Sequence, residues 1–353
     1  MKQIIFLLSL ILFPIYSYSD SKDEFICEDK DTQFINNLVF LKGNNDPFSG
    51  KIACKYSNNQ LRIEGSFKNG KKNDRWIDWS IDGNKIAERF FNSNILISES
   101  KYSYFENGKI KSEHNYLNNS LDGKSIWWHE NGQIQQEISY KNGLEDGQWT
   151  WWDENGVMLG KREFKNGKKN GKWVLFDSGL KMYEEVFKDG DSFSKTNYFY
   201  HNNSKINKIV PTKNGSINGR HQVWSESGVL LTEDTYVDGF LNGKSTSYFE
   251  NGKIESEKNY LNNNSEGESI WWHENGSRKI SGSFKNGLEE GQWSWWDENG
   301  LLTSTGDYKE GLKHGNWTSF DKGRKIYDKE FKDDLLNGKS TSYFENGKIE
   351  SEK

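Results

Sequence analysis

Residues 147–170 read GQWTWWDENGVMLGKREFKNGKKN, and the architecture can be read from this one segment. Two apolar runs are separated by Asn155-Gly156 and closed by Asn166-Gly167, and an Asn-Gly pair between apolar strands is the strongest short-range hairpin signal. The same grammar recurs on both sides. Aligned on the first Gly, units begin at Gly50, Asp74, Glu99, Gly123, Gly147, Gly171, Lys195, Gly219, Gly243, Gly267, Gly291, Gly315 and Gly338. The step is 24 residues except for one of 25 and one of 23. A longer period of 144 residues is superposed: Ser103–Gly156 matches Ser247–Gly300 at 39 of 54 positions, the mark of a block duplication. The fold class follows: all-β, an elongated, twisted antiparallel β-meander of tandem 24-residue β-hairpin repeats.

Turn chemistry constrains the faces. Counting the first Gly of a unit as position zero, position five is aromatic in every unit from Asp74 onward, as in Trp128, Trp152, Trp272 and Trp296. Position seventeen is usually aromatic, as in Tyr140, Phe164, Phe284 and Tyr308, and position eleven is apolar in Ile110, Ile134 and Ile254. A two-residue type I′ turn would split these rings between faces. A three-residue Glu-Asn-Gly loop with a glycine bulge sets position five opposite position eleven, and strict alternation then puts position seventeen on the same face. That reading, preferred because one aromatic stripe is buried, predicts Trp152, Phe164 and Trp296 together, with Trp151 and Trp295 pointing the other way. Each buried ring contributes roughly 1.5–3 kcal/mol.

Composition agrees with many strands and tight turns. Hydrophobic residues make up only 33% of the 353, aromatics 15%, and there are 34 Gly against 3 Pro. Net charge is −5 with signs mixed along the chain, which argues against a nucleic-acid partner and makes membrane-lipid binding unlikely for want of a basic face. At the N-terminus, Lys2, the apolar run Ile4–Ile15 and Ser17-Tyr18-Ser19 read as a secretory signal peptide over residues 1–19, which implies export to periplasm, envelope or medium. Residues 20–49 then form an N-terminal cap segment and residues 50–353 the repeats. The two cysteines, Cys27 and Cys54, are a candidate disulfide in an exported chain, with a pair of buried thiols as the alternative.

The pattern aromatic-aromatic-x-Glu-Asn-Gly, followed by Tyr/Phe-Lys-Asn-Gly and the next Gly, resembles the variant MORN repeat over residues 50–353. The tandem array is similar to bacterial proteins grouped as the YwqK antitoxin family. The resemblance implies stacked β-hairpins. Its functional implication, an antitoxin or immunity role, sits poorly with an export signal. The unit at Lys195 departs from the pattern, with Pro211 and Thr212 in place of a free donor and an aromatic, and the unit at Asp74 carries one extra turn residue.

No catalytic constellation emerges, so the chain reads as non-enzymatic, with no cofactor and no metal site. His129 and His273 occupy the same place in the duplicated block, which marks them as repeat grammar. The Asp153 and Asp297 turns lack the alternating carboxylates of an EF-hand loop. The candidate binding residues are tryptophans at positions two and four: Trp127, Trp149, Trp151 and Trp173, repeated as Trp271, Trp293, Trp295 and Trp317. Two readings stand. They form a protein-binding patch, with sugar stacking as a lesser variant, or the sheet curls so that both faces are buried. The expected function is an exported, non-enzymatic repeat protein that presents its sheet to a protein partner.

Overall fold

The computed structural model describes residues 26–353, so the segment read as an export signal lies outside the described residues. Among the described residues the one helix is the single turn Glu28–Asp31, and no helix is long and apolar enough to cross a membrane. Most of the rest is antiparallel strand joined by turns. The chain divides into two units, one of residues up to 108 with 116–119, the other of residues 109–115 and 120–353.

The first unit contains a small closed core. The hairpin of Thr32–Ile35 with Leu38–Leu41 lays Val39, fully buried, against Phe48, Ile52, Phe67 and Trp76. It is tied in place by Val39 N–H to the Gly70 carbonyl (3.0 Å), Phe48 N–H to the Val39 carbonyl (2.8 Å) and Ala53 N–H to the Ile26 carbonyl (2.9 Å). Cys27 and Cys54 form a disulfide that fixes the start of this segment to the first repeat strand.

In the second unit the strands pair in chain order and the sheet is open: Ile349–Glu352 pairs with Leu335–Tyr343 alone. The hairpin of Leu144–Trp152 with Met158–Lys165 shows the rule. Asp153 N–H donates to the Val157 carbonyl (2.9 Å) and Gly156 N–H to the Asp153 carbonyl (3.0 Å), which encloses Glu154-Asn155-Gly156 in a three-residue loop. Gly156 sits at φ +80°, so a glycine is required there. This is the bulged loop that face alternation favoured, and it sets Trp152 opposite Met158, position five against position eleven. Two hairpins depart: Asp177 pairs with Leu180 and Asp321 with Arg324, leaving the two-residue turns Ser178-Gly179 and Lys322-Gly323.

The expected continuation of that face to position seventeen is wrong. Trp151 pairs with Gly160 and Trp152 with Met158, so Leu159 is an extra, unopposed residue on the second strand. The same slip recurs between Trp271 and Trp272 and between Trp295 and Trp296. One inserted residue inverts the phase of a period-two pattern. Phe164 therefore lies opposite Gly147 and shares the face of Trp149 and Trp151, while Trp152 points to the other side with Thr150.

Adjacent hairpins are also stitched at their turns. Asn131 Nδ2 donates to the Glu154 carbonyl of the next repeat (2.6 Å) and its Oδ1 accepts Gln133 N–H (2.9 Å). Asn203, Asn251 and Asn275 make the same onward bond, to the carbonyls of Glu226, Glu274 and Glu298. On the opposite edge Asp122 and Asp146 accept the N–H of Asn142 (3.1 Å) and Asn166 (3.0 Å). The Asn of the Glu-Asn-Gly loop is thus a bond between repeats as well as a turn residue. Asn155 has no such bond, because the hairpin after it has the shorter turn. Asn131→Ala is expected to cost about 1 kcal/mol of unfolding free energy and Asn155→Ala only a small fraction of that, as read by denaturant titration of the two variants.

Candidate binding face

The face that carries positions two, four and seventeen is built on an aromatic interlock. Within the first unit Trp76 stands between Phe67 (5.1 Å between ring centroids) and Phe91 (6.1 Å). In the second, Trp173 stands between Phe164 (5.2 Å) and Phe187 (4.7 Å), Trp293 between Phe284 (5.1 Å) and Tyr308 (5.8 Å), and Trp317 between Tyr308 (5.1 Å) and Phe331 (6.2 Å). Each of these indoles is held by a second-strand ring of its own and of the preceding repeat, at position seventeen or, for Phe187 and Phe331 in the repeats with the shorter turn, at position sixteen. Edge and offset pairs of this kind add about 0.5–1.5 kcal/mol each to the burial itself.

Glycine makes room for the indoles. A Cβ on Gly65 would lie 2.3 Å from the Trp76 ring, one on Gly282 2.1 Å from Trp293 and one on Gly306 2.2 Å from Trp317, so these rings lie flat on bare backbone. Three indoles are closed from outside by a lysine two residues before the unit start: Lys72 over Trp76 (4.2 Å), Lys169 over Trp173 (4.7 Å) and Lys313 over Trp317 (4.5 Å). Those same three donate Nε1–H to a backbone carbonyl, Trp76 to Ser66 (3.1 Å), Trp173 to Glu163 (2.9 Å) and Trp317 to Asp307 (3.1 Å). Trp149 and Trp293 have Glu145 and Glu289 at the lysine position, and their indole N–H groups have no partner.

The eight candidate tryptophans therefore separate. Trp173 (7% exposed) and Trp293 (5% exposed) are core, which removes them from any binding surface. Trp127, Trp149, Trp151, Trp271, Trp295 and Trp317 are half-buried. In the first copy the Arg162 guanidinium lies 5.3 Å from the Trp149 ring, 4.7 Å from Trp151 and 4.8 Å from Trp173. In the second copy the corresponding residue is Gly306; Trp293 lies 6.2 Å from Trp295, much as Trp149 lies 6.1 Å from Trp151, and Trp295 also closes on Trp317 at 5.5 Å. Sequence reasoning missed Arg162, whose role depends on which residues share a face. It also missed the strand glycines Gly65, Gly282 and Gly306, although a glycine two residues before an aromatic, outside any turn, was a readable signal of a ring lying on the strand.

The histidines have structural uses. His129, His201 and His273 place Nε2 at 3.0, 2.9 and 2.9 Å from the carbonyls of Trp152, Trp224 and Trp296 in the next repeat. A carbonyl only accepts, so Nε2 carries the proton in each. His114 packs edge-on against Trp127 at 4.8 Å and His221 against Tyr236 at 6.0 Å. Burial holds both imidazoles below the ordinary value of 6.5, in His221 against the opposing pull of Asp234.

These features define a class: a tandem β-hairpin repeat protein whose repeats interlock through aromatic rings on one face. The MORN repeat variant family matches residues 100–118, 121–142, 145–166, 241–262, 265–286 and 336–353, so these six segments carry MORN-type repeats. No curated protein matches. Among solved structures, TcdB2-TccC3 is 12% identical over 85% of this chain and 17% of that one, with a TM-score of 0.18. The Photorhabdus luminescens Tc holotoxin pore is 10% identical over 90% of this chain and 19% of that one, with a TM-score of 0.17. A porin-like protein from Bacteroides uniformis is 10% identical over 68% of this chain and 91% of that one, with a TM-score of 0.18. The chain thus spans less than a fifth of the first two of these chains, and likeness this remote carries no argument about function.

Two outcomes follow from the interlock. Gly282→Ala is expected to destabilise by about 1–3 kcal/mol, since the Trp293 ring has no room to yield, and Trp173→Ala by about 3–5 kcal/mol, both measurable by thermal and denaturant melts. For His114 and His221 the unfolded chain binds protons more readily than the folded one, so their contribution is complete above 6.5 and is lost as pH falls below it. Melting temperature should fall between about pH 7 and pH 5, and by less in His221→Phe.

Proposed function

We propose that this chain is a non-enzymatic, exported repeat protein that binds a protein partner through the half-buried tryptophans of the interlock face. The observation that carries this reading is the partial exposure of these aromatic side chains. Trp127, Trp149, Trp151, Trp271, Trp295 and Trp317 are each only half-buried. Partly exposed aromatic clusters on rigid strands are the usual anchors of protein interfaces. Trp151 and Trp295, at the outer position four, are the best anchors, because the interlock runs through position two. Export rests on the N-terminal sequence, and an antitoxin or immunity role rests on the YwqK resemblance alone.

The test uses the double variant Trp151→Ala/Trp295→Ala. Partners cross-linked to the wild-type protein in cells should be lost from the variant, with affinity reduced by about 2 kcal/mol or more, at a temperature where circular dichroism shows the variant still folded. Retention of every partner at full affinity would overturn the reading. The mature protein recovered from the envelope or medium should begin at Asp20, and recovery of the full-length chain from the cytoplasm would remove the export component.

A further inference from the structure

The repeated Glu-Asn-Gly loops carry a chemical liability that the fold distributes unevenly. In an Asn-Gly pair the glycine nitrogen can attack the asparagine Cγ. The new N–C bond closes a succinimide, the Cγ–Nδ2 bond breaks and ammonia leaves. Water then opens the ring at either carbonyl to give aspartate or isoaspartate. The reaction needs the side-chain amide to rotate over the following nitrogen, so whatever holds that amide slows it.

Four loops of near-identical sequence allow a direct comparison: HENG at His129–Gly132 and His273–Gly276, DENG at Asp153–Gly156 and Asp297–Gly300. In all four the glycine N–H is bonded to the carbonyl three residues back, at 2.8–3.0 Å, so the nucleophile does not distinguish them. The amide does. Asn131 and Asn275 are held at both ends, Nδ2 to the Glu154 and Glu298 carbonyls (2.6 and 2.7 Å) and Oδ1 to the N–H of Gln133 and Ser277 (2.9 and 2.8 Å). In the DENG loops Asp153 and Asp297 take over the inner bond, accepting the N–H of Val157 (2.8 Å) and Leu301 (2.9 Å). The outer acceptor is gone as well, because the next hairpins turn through two residues, Ser178-Gly179 and Lys322-Gly323. The side chains of Asn155 and Asn299 are exposed and have no hydrogen-bond partner among the described residues.

We propose that Asn155 and Asn299 are the sites at which these loops deamidate spontaneously in the folded protein, and that Asn131 and Asn275 are protected by their bonds to the neighbouring repeat. Each event replaces a neutral amide by a carboxylate beside an existing Asp-Glu pair, and the isoaspartate product lengthens the loop backbone.

The experiment incubates the full-length wild-type protein at mildly alkaline pH and follows each loop by peptide mass spectrometry, with electron-transfer fragmentation to identify isoaspartate. Asn155 and Asn299 are expected to convert about tenfold faster than Asn131 and Asn275, the factor that one to two modest hydrogen bonds supply. The same incubation in concentrated urea should bring the four rates together. Equal rates in the folded protein would overturn the proposal, and so would a difference that persists unchanged in urea, since local sequence and not the fold would then set it. Asp153→His restores the HENG sequence and frees Val157 N–H for the Asn155 amide. This variant should slow conversion at Asn155 and leave Asn299 unchanged, and an unchanged rate at Asn155 would count against the mechanism.

Discussion

The contact on which the structure depends is an indole held between two phenyl or phenol rings of successive hairpins. A lone two-stranded hairpin is marginal in water, and among the described residues of the second unit few apolar side chains are fully buried. In the second unit Trp173, Trp293 and Trp317 solve this within the plane of the sheet, each lying across the strands against rings from its own and the preceding repeat. The apolar surface that a globular domain would bury between layers is buried here between neighbours. Stability is then a sum of nearest-neighbour terms, as expected of repeat proteins, and a chain that is only 33% hydrophobic can still fold.

Everything else adjusts the fit of that contact. Gly65, Gly282 and Gly306 give up their side chains so that an indole can lie on the strand, and Lys72, Lys169 and Lys313 cover three of the rings while keeping their ammonium groups near solvent. The edges use polar bonds for the same purpose: loop asparagines and imidazoles donate forward to carbonyls of the next repeat, and carboxylates on the far edge accept turn N–H groups. Where a hairpin is one residue shorter, the asparagine before it loses its acceptor. One deletion in a turn is thereby felt in the preceding repeat.

Much of this was legible in the sequence. The repeat period, the strand and turn content, the Glu-Asn-Gly bulged loop and the pairing of position five with position eleven all follow from local chemistry. The candidate site was read less well. All eight tryptophans on the second face were identified, and the structure places Trp173 and Trp293 in the core and the other six half-buried. The reason is Leu159 and its counterparts, single unopposed residues that invert the side-chain alternation between positions eleven and thirteen. A bulge of this type leaves no compositional mark, because it is set by how two strands pair and not by either strand alone.

The sequence by itself determined the hairpin unit, its recurrence and its turns, since these depend on residues within about five of one another: glycine and asparagine where φ must be positive, alternating side chains where strands must pair. Which aromatic rings share a face, which tryptophans are core and which remain partly in solvent, and which loop asparagines are held are set by the packing of the folded chain. Those outcomes depend on register across strands and on the length of the neighbouring repeat's turn, roughly 24 residues away, where local propensity has no influence.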